Sequence, residues 1–133
     1  METIVIATDG SPSAHEAVDF GLQLARQVGA AVVFVHVAHS REGAVGRKPL
    51  GSAAVSATSL GVRATTELLV GDAADEIVTF ADTIDADAIV VGSRGHGPLK
   101  GALLGSVSQR VLRDARLPVL VVPGLRQTRT ENA

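Results

Sequence analysis

Five short runs of apolar, largely β-branched residues recur along the chain, and between them lie segments whose apolar residues return every three or four positions. Ile4-Val5-Ile6-Ala7 is the first run, and it ends at Thr8-Asp9-Gly10-Ser11-Pro12, a turn composition. Ala31 to Ala38 is nearly unbroken apolar sequence, as a strand covered on both faces requires. Val62 to Val70, Ala88 to Val91 and Pro118 to Pro123 complete the set. Strand and helix in alternation predict an α/β chain: a single doubly wound domain whose parallel sheet carries helices on both faces, joined by right-handed crossovers. Ligands in such sheets bind beyond the carboxyl ends of the strands, so the loops after the first and fourth strands are the places to look.

The helical segments carry their own punctuation. The first has apolar residues at Ala14, Ala17, Val18, Gly21, Leu24, Ala25 and Val28, and Gly29 supplies its stop. It starts either at Ser11, with Pro12 in the first helical position, or at Ser13, with Glu16 completing a capping box. His39 to Gly51 has a loop composition, and Ser52 to Leu60 predicts only a short helix. Asp72 is placed to cap a third helix with Ile77, Val78, Ala81 and Ile84 on one face. Ser106 and Gln109 have capping-box spacing for a fourth, with Val107, Val111 and Leu112 expected to face inward. The polar segment after Gly124 has no periodicity, which predicts a domain over residues 1–124 and a flexible tail over 125–133.

Composition removes several functions. Three Phe, no Trp and no Tyr leave almost nothing to stack on nucleobases, and a net charge of −2 provides no basic footprint for nucleic acid or an anionic membrane. The absence of Cys excludes thiol catalysis and thiolate metal sites. Met1-Glu2-Thr3-Ile4 does not read as a secretion signal, and no apolar run approaches the roughly 20 residues of a bilayer-spanning helix, so a cytoplasmic protein is expected. His36 and His39 read as pointing to opposite faces and so not as a joint metal site. There is no Gly-x-Ser-x-Gly elbow, and no catalytic residue is expected.

The segment Gly92 to Ser106 is the chemically informative one. A phosphate needs backbone N–H groups converging on its oxygens, Gly where a Cβ would block approach, and a helix N-terminus aimed at the charge. Gly92 and Gly95 follow a strand, Gly105-Ser106 opens a helix, and Arg94 and Lys100 can add positive charge. The Ser106 hydroxyl has three candidate tasks: capping the helix, binding phosphate, or alternating between them. His96 either touches a phosphate or faces solvent. There is no Gly-x-x-x-x-Gly-Lys-Ser/Thr, so this is not a P-loop.

Gly92-x2-Gly95-x9-Gly105-Ser106 fits the nucleotide-binding pattern G-x2-G-x9-G-S/T, and the chain resembles the universal stress protein family. The resemblance also runs through Ile4 to Ser11, His36-Val37, Val91 to Gly95 and Pro118 to Val122. It implies a five-stranded parallel sheet of order 3-2-1-4-5 in the adenine nucleotide alpha hydrolase-like fold, with the switch point between strands one and four. It further implies an adenine nucleotide, ATP. Asp9 is a candidate to hold Mg²⁺ bridging the phosphates, since that ion is usually bound by one or two carboxylates plus phosphate oxygens. The base would lie near Ala7, Thr8, Asp9 and the backbone of Val37; the phosphates would lie along Val91, Gly92, Arg94, Gly95, Gly105, Ser106, Val107 and Ser108. Family members commonly pair through their last strands, which implies a homodimer through Pro118 to Val122, and the resemblance implies a stress-response regulator; slow or no hydrolysis is expected because no residue is evidently placed as general base. A nucleotide-independent interaction module and a slow ATPase are the alternatives. The chain departs from the family between His39 and Leu60, where members usually have a longer insertion and a fuller helix.

Overall fold

A computed structural model describes residues 1–40, 48–93 and 104–124. Its elements run β1 (Thr3–Ala7), α1 (Pro12–Val28), β2 (Ala31–Ala38), α2 (Lys48–Leu60), β3 (Ala64–Val70), α3 (Ala73–Thr83), β4 (Ala88–Gly92), α4 (Ser106–Asp114) and β5 (Val119–Val122). The strands form one parallel sheet in the order β3-β2-β1-β4-β5, as the resemblance implies. β1 lies at the centre, with Ile4 level with Val32 of β2 on one side and Ala88 of β4 on the other.

Period-two alternation divides this sheet between two cores. Ile4, Ile6, Val32, Phe34 and Val90 face α1 and α2, while Val5, Val35, Ile89 and Val91 face α3 and α4. Both faces of the central strands are therefore buried, which is why these strands read as unbroken apolar runs. α1 begins at the earlier of its two candidate starts. The Ser11 hydroxyl accepts from Ala14 N at 3.2 Å, Pro12 takes the first turn, and Gly29 closes the helix with φ of 73°. Leu22 is fully buried in the stripe, whereas Val28, in the last turn, is exposed.

Three expectations require correction. α2 spans 13 residues from Lys48, so the second helix is fuller than its Gly51 and hydroxyl-rich composition predicts. Leu50, Ala53 and Ala57 seat it in the core, and Ser56, Thr58 and Ser59 each donate to the carbonyl four residues back. Gly105, not Ser106, is the N-cap of α4, and no side chain caps that helix. The frame of α4 is correspondingly different: Ser108 and Val111, three apart, face inward, and Val107 and Leu112 are exposed. Among the described residues no helix is long and apolar enough to cross a membrane. The tail beyond Gly124 lies outside the described residues.

An ion-pair cluster ties α4 to α3. Asp72 caps α3 by accepting from Asp75 N, and Arg110 donates to both Asp72 and Asp75 at 2.8 Å. The Asp75 N–H and then the Arg110 guanidinium hold the Asp72 carboxyl below its usual 3.8. A folded-state pKa below the unfolded one adds stability that is present above the ordinary carboxylate range and is lost as pH falls through the folded value. Asp72→Asn, which keeps a capping oxygen, is therefore expected to be less stable than wild type at neutral pH. The difference should close as pH falls below about 4, measured by urea unfolding across a pH series.

Candidate functional site

The strands β1 and β4 are neighbours whose connections leave on opposite faces of the sheet, so a crevice opens at their carboxyl ends. The β1 side is a tightly held turn. Thr8 is buried, and its N–H donates to Val35 O at 2.9 Å. Its Oγ1 accepts from Gly10 N, and Asp9 Oδ1 accepts from Ser11 N at 2.8 Å. Gly10 has φ of 82°, a left-handed conformation that side chains rarely adopt. Asp9 thus stands at the strand end in an Asx-type turn that leads into the α1 cap.

On the β4 side the geometry centres on Ser93, which is buried. Its N–H donates to Val122 O at 2.8 Å, and its hydroxyl lies 3.4 Å from that of Ser13 in α1. Its carbonyl accepts from Gly105 N and from Ser108 Oγ. The segment between Ser93 and Gly105 therefore leaves and returns at one point. Ser108 is buried and directs its hydroxyl at two carbonyls, Ser93 O at 2.9 Å and Gly105 O at 3.0 Å. A single hydroxyl hydrogen serves one of them at a time, so this side chain works as a clasp within the protein.

Gly92 has a packing reason to be glycine. A Cβ there would lie 2.6 Å from Ser13 Oγ and 2.8 Å from the Ser13 carbonyl carbon and oxygen. The first turn of α1 can approach the end of β4 only because this position has no side chain. Beyond it, Arg94 and Gly95, together with His96 and Lys100, lie outside the described residues. On the far side of the segment, the first turn of α4 presents the backbone N–H groups of Ser106, Val107 and Ser108 without a side-chain cap. Such groups carry a partial positive charge and suit an anion.

A model of the universal stress protein family matches residues 1–123. The chain belongs to the universal stress protein family. A universal stress protein of Methanocaldococcus jannaschii is 37% identical over 136 residues, which cover 90% of this chain and 80% of that protein. A universal stress protein solved in complex with cAMP superposes with a TM-score of 0.81 at 33% identity, covering 93% of this chain and 98% of that one. The universal stress protein of Archaeoglobus fulgidus in complex with dAMP gives a TM-score of 0.76 at 30% identity, covering 92% and 98%.

Within this family fold, the structure places Ala7, Thr8, Asp9, Val91 and Gly92 at the ends of the two central strands, Val37 near the end of β2, and Gly105 to Ser108 at the start of α4. A cleft of about 340 Å³ lies between α1 and α2, bordered by His15, Asp19, Ser52 and Ser56, and among the described residues it meets this edge at Thr8. His15, Asp19, Ser52 and Ser56 carried no motif in the sequence. The contact between Ser13 and Ser93 was not foreseen, because their hydroxyls meet across 80 residues and no local spacing encodes it. Among the described residues no group of three His, Cys, Asp or Glu side chains is placed to hold a metal ion. Gly92→Ala is expected to lower stability by about 1–3 kcal/mol through overpacking against the Ser13 backbone, read as a reduced urea midpoint. Unchanged stability would mean that α1 and β4 do not meet as described.

Proposed function

We propose that this chain binds an adenine nucleotide across the carboxyl ends of β1 and β4, and that it serves as a dimeric cytoplasmic stress-response regulator. It holds the nucleotide rather than turning it over. The observation that carries this reading is the uncapped start of α4 at Gly105, set against the carbonyl of Ser93 at the point where the glycine segment closes. Phosphate is the anion that such a helix start suits, with the Ser106 to Ser108 N–H groups as donors and Arg94 and Gly95 on the intervening segment. With Gly105 in the capping position, the Ser106 hydroxyl is assigned to phosphate. The relatives solved with cAMP and dAMP support adenine as the base, which would lie near Thr8, Asp9 and Val37.

ATP is the nucleotide we assign. Mg²⁺ is commonly held by one or two carboxylates together with phosphate oxygens, and Asp9 provides a carboxylate at the strand end. Its residence in a turn stabilised by Ser11 N–H supports a holding role.

The test is calorimetric titration with ATP, ADP and AMP, each with and without Mg²⁺. Wild type is expected to bind with saturable heat. Ser106→Asp places a negative charge at the first position of α4, where it favours the helix dipole by about 0.3–1 kcal/mol while repelling phosphate. It should therefore leave stability equal or higher and weaken nucleotide binding by about tenfold or more. Absence of heat and of thermal shift in wild type at millimolar nucleotide would contradict the proposal.

The pairing surface we assign is β5, an edge strand with one neighbour in the sheet, on which Leu120 is exposed. An apolar edge of this kind tends to pair with another chain. Leu120→Lys is expected to convert a dimer into a monomer in sedimentation velocity. A wild-type monomer, or an unaffected dimer in the variant, would count against this surface.

A further inference from the structure

β2 continues one rung farther than its pairing with β1. Along a parallel strand, alternate residues turn their N–H and C=O toward the same neighbour. Ala31 N donates to Glu2 O and Val35 O accepts from Thr8 N, so the odd-numbered residues of β2 face β1. Val32 N donates to Arg63 O and Ala38 O accepts from Gly71 N, so the even-numbered residues face β3. Val37 is thus the next residue turned toward β1, and the rung that would extend the ladder runs from Val37 N to Thr8 O. Among the described residues that rung is not made. Thr8 O accepts instead from His36 Nδ1 at 2.9 Å.

A carbonyl only accepts, so Nδ1 carries the hydrogen. A carbonyl has room for two donors, yet Thr8 O receives the imidazole and not the Val37 N–H, and the β1–β2 ladder ends at that rung. Past Thr8 the chain turns away through Asp9 and Gly10, where φ is 82°. The Val37 N–H and C=O are left outside the β1 ladder at the carboxyl edge of the sheet, beside the crevice described above.

We infer that His36 is a positioning residue for the nucleotide site: by capturing the Thr8 carbonyl it keeps the Val37 peptide groups out of the sheet and available to a base edge carrying a donor beside an acceptor. This rests on the nucleotide reading above. Adenine carries such an edge in its amino group and adjacent ring nitrogen. Without the imidazole, Thr8 O is free to take Val37 N–H, and the ladder closes over that position.

The experiment compares wild type with His36→Leu, His36→Asn and His36→Gln. The Asn amide nitrogen stands where Nδ1 does, whereas Gln carries its amide farther out. Two quantities are measured: hydrogen exchange of the Val37 amide by NMR without nucleotide, and AMP affinity by calorimetry. In wild type the Val37 amide should exchange readily alone and slow on AMP binding. In His36→Leu it should be protected without nucleotide, and AMP affinity should fall about tenfold, the scale of a lost hydrogen bond. His36→Asn should restore both properties and His36→Gln neither; that pair carries the test if His36→Leu does not fold. Equal Val37 exchange in wild type and the non-rescuing variants, or equal AMP affinity, overturns the inference. If wild type does not bind AMP, the nucleotide reading fails, and Val37 exchange alone then decides whether His36 ends the ladder.

Discussion

One backbone carbonyl, that of Ser93, closes the carboxyl edge of the sheet beside β4. It receives the Gly105 N–H and the Ser108 hydroxyl, so α4 begins where β4 ends, whatever path the ten residues of the segment 94–103 take. The rest of Ser93 extends the same junction. Its N–H fixes the end of β5 through Val122, and its side chain meets Ser13 in the first turn of α1. Buried polar groups are tolerated only when they are hydrogen-bonded, and here the bonds join four elements at the switch point of the sheet. The placement of the uncapped start of α4 is therefore a consequence of packing at a buried serine.

Each side of the crevice is held by its own device. β4 approaches α1 without a side chain at Gly92, and β1 passes into α1 through a turn in which Thr8, Asp9 and Ser11 all bond locally. These contacts restrict the backbone before any ligand arrives. Preorganised donors spend less on ordering when an anion binds. The Arg110 cluster contributes at a distance, joining α4 to the cap of α3 on the protein surface, where ion pairs are worth little individually.

The fold was legible in the sequence because both faces of the sheet are covered, so β1, β2 and β4 advertise themselves as apolar runs. The strand order followed from the family resemblance rather than from periodicity. α1 had two starts open because Ser11 and Ser13 both precede helical residues; the Ser11 hydroxyl takes the Ala14 N–H, and Ser13 lies inside the first turn, where its hydroxyl meets that of Ser93 across 80 residues. α2 was underestimated at its start, because Lys48 to Gly51 read as loop by composition whereas Leu50 is buried in the core and draws that turn into the helix. In the site, Gly105-Ser106 was legible as a helix opening, but the shift of the cap to Gly105 was not, since capping-box spacing cannot reveal the frame in which a helix packs. The clasp of Ser108 and the imidazole bond of His36 were equally hidden, being bonds to carbonyls 15 and 28 residues away.

The central claim is that the carboxyl edge of β1 and β4, rather than the α1–α2 cleft, receives an adenine nucleotide. The most direct measurement is the set of backbone amide shifts that change when ATP is titrated into isotopically labelled protein. The account predicts saturable changes concentrated at Thr8, Asp9, Val37, Gly92, Ser93 and the Gly105 to Ser108 turn, with His15, Asp19, Ser52 and Ser56 little affected. Changes confined to those four cleft residues, or no changes at millimolar nucleotide, would contradict it.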